Sequence, residues 1–284
     1  MSESESSPAR PTRAFQELPS IGDARLDGLA RLLAIVDRLR EPDGCPWDLE
    51  QSVESMAPSL TEEAFEALEA IETGSDREVA EELGDLTLVI TLIARIAGES
   101  GRFDMGSIAQ KVGDKLIRRH PHVFGEAEAA SSERVVQNWE RIKQEERAER
   151  EEDTSALAGV PASLPALQRI DRLGSKAISA GFRWSDSEGA LEKLREEVSE
   201  LQAELAKPEV DKERVAAELG DVLMAGALLG RYLKLDPEQA AREAARRFEA
   251  RFRCMEEQFS EGLGQASLEE MLAAWQEAKG KTQA

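Results

Sequence analysis

Glu82-Leu-Gly-Asp-Leu-Thr-Leu-Val-Ile-Thr-Leu-Ile-Ala94 and, further along, Glu218-Leu-Gly-Asp-Val-Leu-Met-Ala-Gly-Ala-Leu-Leu-Gly230 decide the fold. Each opens on a Glu-x-x-Asp pair and then runs through apolar residues, with no charge until Arg95 in the first and Arg231 in the second. On a helix, residues three apart share a face with Cβ atoms roughly 5–6 Å apart. Glu82 and Asp85 therefore project together, as do Glu218 and Asp221, each pair at the mouth of a helix expected to be otherwise buried. Like charges in such a place are costly unless something neutralises them. A hard divalent cation with oxygen ligands does so, and Mg²⁺ binds through carboxylates and substrate phosphates.

Upstream of each pair lies a second acidic helix. Glu62-Glu63-x-x-Glu66 precedes the first stretch and Glu196-Glu197-x-x-Glu200 the second. Antiparallel packing of the two helices brings four carboxylates together: Glu63, Glu66, Glu82 and Asp85 in one half, Glu197, Glu200, Glu218 and Asp221 in the other. Gly84 and Gly220 sit between the acids, where glycine costs on the order of 1 kcal/mol relative to alanine. Their recurrence implies close approach of another backbone or a ligand.

The halves share more than the acids. Trp47 lies in Gly-Cys-Pro-Trp-Asp and Trp184 in Gly-Phe-Arg-Trp-Ser; Lys115 and Arg119 match Arg247 and Arg251; Trp139 and Lys143 match Trp275 and Lys279. The features recur in one order at similar spacing, which is the mark of a duplicated module. Residues 1–22, rich in Ser, Pro, Arg and Glu, read as a disordered tail. An N-terminal module is expected over 23–152, a Pro- and Gly-containing linker over 153–164, and a C-terminal module over 165–284. Helices are expected at about 23–40, 58–72, 76–98, 105–119, 132–152, 165–180, 187–206, 209–233, 237–260 and 267–279. Ser59 or Thr61 is expected to cap the second of these, and Asp76 the third. Valine, isoleucine and threonine never alternate as in strands, so the fold class is all-α, as two tandem four-helix modules.

The formal charge of −21 repels nucleic-acid backbones and argues against a DNA or RNA partner. Cys45 and Cys254 lie far apart with no Cys/His cluster, which argues against zinc and disulfides. The N-terminal stretch has no apolar core of a signal peptide, and no apolar run approaches the roughly 20 residues that span a bilayer. A cytoplasmic protein with no membrane partner is expected.

With these residues in view, the chain resembles the MazG family of nucleoside triphosphate pyrophosphohydrolases from about Leu26 to Lys279. The pieces that carry the resemblance are Gly-Cys-Pro-Trp-Asp-x-x-Gln (44–51), Glu-Glu-x-x-Glu, Glu-Leu-Gly-Asp, Lys-Leu-Ile-Arg-Arg-His-Pro-His-Val-Phe (115–124) and Trp-Glu-Arg-Ile-Lys (139–143). The acid quartet alone is shared with other all-α pyrophosphatases, including dimeric dUTPases. The resemblance implies Mg²⁺ on both quartets, with Mn²⁺ as the alternative ion, and cleavage of NTP or dNTP substrates to a monophosphate and pyrophosphate with broad base tolerance. It also implies a homodimer with active sites near the subunit contact, and a lean of activity toward the second module. The family's second module tends to carry Asn where this chain has Ala245, and Lys is common where it has Arg247. Arg can still hold phosphate bidentately.

The mechanism expected from this pattern attacks the α-phosphorus with water oriented or deprotonated by Glu63 or Glu197. Arg247, Arg251 and Lys279, with first-module counterparts Lys115, Arg119 and Lys143, neutralise the pyrophosphate charge. Trp184 and Trp275, with Trp139 as the first-module counterpart of Trp275, are candidate surfaces for the base. His120 and His122 read as a helix cap or phosphate contact. Two other readings compete: a non-catalytic helical scaffold that binds a nucleotide or partner, and a di-iron bundle. The second wants Glu-x-x-His pairs, which a chain with two histidines in one run does not supply.

Overall fold

A computed structural model of the chain describes residues 23–125, 131–149, 153–259 and 262–282. The tail expected over 1–22 lies outside them, as do the last residues of the helix expected over 132–152. The described residues form α-helices and one 3₁₀ turn, with no strand. The chain divides into two compact units, Met1–Glu146 and Arg147–Ala284.

The first unit holds α1 (Ala24–Leu39), α2 (Pro46–Glu50), α3 (Ala57–Thr73), α4 (Asp76–Glu99), α5 (Met105–Arg119), α6 (Pro121–Phe124) and most of α7 (Ser132–Glu149). Only Gly74 and Ser75 separate α3 from α4, so the two pack as an antiparallel hairpin. Ser75, not Asp76, is the N-cap: its Oγ accepts from Glu78 N at 3.4 Å, and Glu78 Oε2 accepts from Ser75 N at 2.7 Å. This reciprocal box satisfies two free donors at once. Asp76 could not form it, because the residue three beyond it is Val79, which has no side-chain acceptor. Neither Ser59 nor Thr61 caps α3, which begins after Met56 with proline in its first turn. Thr61 Oγ1 donates instead to Ala57 O at 3.1 Å.

One face of α4 places Val89, Leu92 and Ile96 against Val36 of α1 and Met56, forming the core of this unit. Arg40, at the end of α1, is buried beside it. Its Nε donates to Glu99 Oε1 at 2.9 Å and its Nη1 to the carbonyls of Asp48 and Gln51, tying the ends of α1, α2 and α4 together. Between them Gly44 passes so close to α1 that a Cβ there would lie 2.2 Å from Leu39 O. Arg40→Ala leaves Glu99 with the 3.3 Å pairing to Arg95, Asp48 O with the Gln51 N–H at 3.1 Å, and Gln51 O without its donor. Unfolding in urea is expected to show a loss of about 2 kcal/mol, below the cost of a fully broken buried pair because Glu99 keeps Arg95 and stays partly in water.

The second unit holds α8 (Ala166–Ser179), α9 (Ser187–Leu205), α10 (Lys212–Tyr232), α11 (Pro237–Glu256) and α12 (Leu268–Lys281). α9 and α10 form the hairpin that corresponds to α3 and α4. α8 lies on α10 at buried Gly174, where a Cβ would sit 2.3 Å from Leu228 Cδ2. Arg231 fastens the contact through Asp171 Oδ1 at 3.0 Å and Ser175 Oγ at 2.6 Å. α11 and α12 meet around Met255, Ala274 and Ala278.

Two expectations need correction. The apolar run after Asp85 is buried at Val89, Thr91, Leu92 and Ala94 and half-buried elsewhere, but the one after Asp221 departs further from the expectation: Ala225 and Ala227 are buried, while Leu223 and Met224 are 53% and 41% exposed. The α9–α10 hairpin has an apolar face that the described residues of this chain do not cover. Of the two alternatives for Gly84 and Gly220, close approach of another backbone is not met: a built Cβ at either would meet none of the described residues within 4 Å outside its own helix backbone. Both glycines sit on exposed faces, so chain packing does not account for them. No helix among the described residues is long and apolar enough to cross a membrane.

Candidate active site

The two hairpins each bring acids from two helices to one place. In the first unit, oxygens of Glu63, Glu66 and Glu82 lie within 4.8 Å of one another; in the second, those of Glu197, Glu200 and Glu218 do the same. Asp85 and Asp221 stand at the edge of these groups. They are near enough that each raises the proton affinity of a neighbouring glutamate. Glu63, Glu82 and Glu218 are all pushed above the ordinary carboxylate range. The first cause is partial removal from water; the second is crowding by the other acids.

The units differ in how that crowding is relieved. In the first, no described cation pairs with Glu63, Glu66 or Glu82. In the second, Lys193 Nζ lies 2.8 Å from Glu197 Oε1 and 3.0 Å from Glu196 Oε1, and this pairing raises the lysine above its usual range. Glu197 is itself buried. The first-unit position matching Lys193 is Ser59. Glu204, one turn beyond Glu200, adds a fifth acid near Glu218; Lys207 Nζ holds it at 2.6 Å and Arg214 at 3.5 Å. Its counterpart is Ala70. Sequence reasoning missed Lys193 and Glu204. The signals were the four-residue step from Lys193 to Glu197 and the seven-residue step from Glu197 to Glu204, both of which keep one helix face.

The basic candidates, Trp139 and Trp275 lie on other helices, and Trp184 lies in the segment between α8 and α9. Among the described residues, no hydrogen bond or ion pair joins them to the quartets. Lys115 and Arg119 are on α5, Arg247 and Arg251 on α11, Lys143 on α7 and Lys279 on α12. Arg119 is half-buried and bound to Glu146, whereas Arg247 is exposed with a loose 3.8 Å pairing to Glu243. Lys143 stands over the Trp139 ring at 5.7 Å and pairs with Glu140 at 2.7 Å. Trp275 packs on Phe248 with ring centroids 5.3 Å apart, and Lys279 is exposed one turn on. Trp184 meets Tyr232 edge-on at 5.9 Å, and its backbone N–H donates to the Tyr232 hydroxyl at 2.8 Å. His120 closes α5: its Nδ1 lies 2.7 Å from Leu116 O, and its ring meets Trp139 at 4.9 Å. His122 Nδ1 and Trp139 Nε1 are buried without a hydrogen-bond partner among the described residues.

Helical hairpins that gather carboxylates from paired acidic motifs define an all-α protein with a carboxylate-lined cluster in each hairpin. Residues 51–124 match the model of the MazG nucleotide pyrophosphohydrolase domain. The chain is 40% identical over 258 residues to the nucleoside triphosphate pyrophosphohydrolase of Escherichia coli K12, covering 89% of this chain and 98% of that one. It is 38% identical to the nucleoside triphosphate pyrophosphohydrolase/pyrophosphatase MazG of Thermotoga maritima, over 88% of this chain and 94% of that one. A solved mazG-related protein from Thermotoga maritima aligns at 32% identity and a TM-score of 0.36, over 40% of this chain and 98% of that one. The chain belongs to the MazG family.

Proposed function

We propose that this nucleoside triphosphate pyrophosphohydrolase cleaves NTPs and dNTPs to a monophosphate and pyrophosphate with Mg²⁺ as its ion. The residues that would hold the ion are Glu197, Glu200, Glu218 and Asp221 in the second unit, and Glu63, Glu66, Glu82 and Asp85 in the first. The observation that carries this reading is the convergence of three carboxylates from two helices within 4.8 Å in each unit. The donor set fits: it is all carboxylate oxygen, which suits Mg²⁺ or Mn²⁺ and not the nitrogen- and sulfur-preferring metals. When bound, such an ion supplies Lewis acidity toward phosphate oxygens and makes a water more acidic.

The remaining work falls to the chain. Glu197, buried among the second quartet, orients the attacking water and accepts its proton; Glu63 has the same place in the first. Arg247, Arg251 and Lys279 bind the triphosphate and neutralise the leaving pyrophosphate. Trp275 offers a surface to the base. Stacking does not read base edges, which supports broad tolerance and a role in clearing unwanted nucleotides from the pool. The uncovered apolar residues Leu205, Leu219, Leu223 and Met224 of α9 and α10, with Phe65, Ile71 and Leu83 of α3 and α4, support a homodimer formed through the hairpins. The absence of a spanning helix among the described residues is consistent with a cytoplasmic setting.

The test is product analysis by ³¹P NMR on the full chain with Mg²⁺ and each of the dNTPs. Monophosphate and pyrophosphate in equal amounts are expected, from more than one base. A diphosphate with orthophosphate, or nucleotide binding without turnover, would overturn the reading, the latter in favour of a scaffold.

A further inference from the structure

The two units place different chemistry at one helix contact. In the first, Glu146 of α7 is 8% exposed and accepts from Arg118 Nε at 2.5 Å and from Arg119 Nη2 at 2.5 Å. Arg119 and Arg118 hold this carboxylate down to about 2. Counting from the matched tryptophans, Glu146 lies seven residues after Trp139, and Thr282 lies seven after Trp275. The contact itself confirms the register: Arg251, the match of Arg119, donates through Nε to Thr282 Oγ1 at 3.3 Å. The match of Arg118 is Ala250. Among the described residues no carboxylate stands within ion-pair distance of Arg251. Thus a half-buried arginine meets a carboxylate in one unit and a hydroxyl in the other.

That difference bears on phosphate binding. An arginine engaged by a carboxylate has its charge compensated and its donors occupied, and a phosphate must displace charge-assisted bonds to reach it. A hydroxyl at 3.3 Å imposes no such competition. We propose that residue 146/282 sets each unit's affinity for the triphosphate: Glu146 withholds Arg119 from phosphate in the first unit, whereas Thr282 leaves Arg251 to bind it in the second. Two units with matching acid quartets then differ in substrate affinity because of a residue outside the quartets. The inference rests on the reading above that Arg119 and Arg251 belong to the phosphate site.

The experiment uses the full chain and an α,β-imido deoxynucleoside triphosphate with Mg²⁺, followed by calorimetry. In an Arg247→Ala/Arg251→Ala background, which disables the second unit's clamp, Glu146→Thr should tighten binding about tenfold or more, the scale of one charge-assisted hydrogen bond. Adding Arg119→Ala should cancel the gain. In the otherwise native enzyme, Thr282→Glu should raise KM by a similar factor, with kcat changed much less and Mg²⁺ binding alone unaltered. A folded Glu146→Thr protein that binds no tighter, or a gain that survives Arg119→Ala, overturns the proposal; so does an unchanged KM in Thr282→Glu, which decides alone if Glu146→Thr does not fold. Absence of pyrophosphate from the native enzyme would sink the functional reading itself, whereas normal turnover with an indifferent Thr282→Glu sinks only this proposal.

Discussion

Glu218→Gln in the full-length enzyme is expected to lower kcat/KM for a dNTP by at least about 100-fold, the scale of a lost ion-ligand interaction of several kcal/mol. The substitution keeps shape and volume, so α10 should fold as before. What it removes is one negative oxygen from the group formed with Glu197 and Glu200. Asp221→Asn should act in the same direction. The partner signature is thermal: the metal-free variant should melt no lower than the native chain, because crowding that pushes Glu218 upward has been relieved. Its melting temperature should then respond little to added Mg²⁺. Glu82→Gln tests the first unit, where a smaller effect on turnover is expected if Glu146 weakens substrate binding there. Full activity in Glu218→Gln, Asp221→Asn and the matching first-unit variants together would remove the quartets from the mechanism.

Chelation with EDTA should abolish turnover and reverse the way stability responds to mild acid. The sign follows from the folded-state proton affinities. Glu63, Glu82 and Glu218 are all raised by burial and by their acidic neighbours. A raised carboxylate binds a proton more readily folded than unfolded, so it opposes folding at neutral pH and its penalty fades as pH falls toward its folded value. The metal-free protein should therefore melt higher at about pH 5.5 than at about pH 7.5. With saturating Mg²⁺ the ion occupies the charged form, so the trend should flatten or invert. At lower pH a second group takes over. Glu146 is held down to about 2 by Arg119 and Arg118, so its stabilisation is complete above the ordinary glutamate range and drains away as pH falls toward 2. Differential scanning calorimetry across this range, with and without Mg²⁺, checks both limbs. A metal-free melting temperature that falls steadily over the same mildly acidic interval contradicts the crowding.

Much of this was readable from residue spacing. Glu63 and Glu66, or Glu82 and Asp85, are three apart, and helical periodicity alone sends each pair to one side. The short Gly74-Ser75 turn leaves the two helices little choice but to lie antiparallel, so convergence follows from local rules. Lys193 and Glu204 were less visible, since in a chain this acidic a charge four or seven residues from another is ordinary on a solvated helix. Their meaning came from the hairpin, which puts Glu204 beside Glu218 of the neighbouring helix.

The chain's order of amino acids determined by itself that it is helical, that its motifs recur in two halves, and that three glutamates of each half meet. These are consequences of period, turn length and side-chain charge, all acting over short distances. Only the tertiary structure decided that the described residues leave the α9–α10 face open, that none of them presses on Gly84 or Gly220, and that Arg119 is engaged by Glu146 while Arg251 meets Thr282. Those outcomes depend on which helix faces come to rest against one another across about thirty residues of intervening chain. No local pattern encodes that choice, because it follows from the sum of packing over a whole unit.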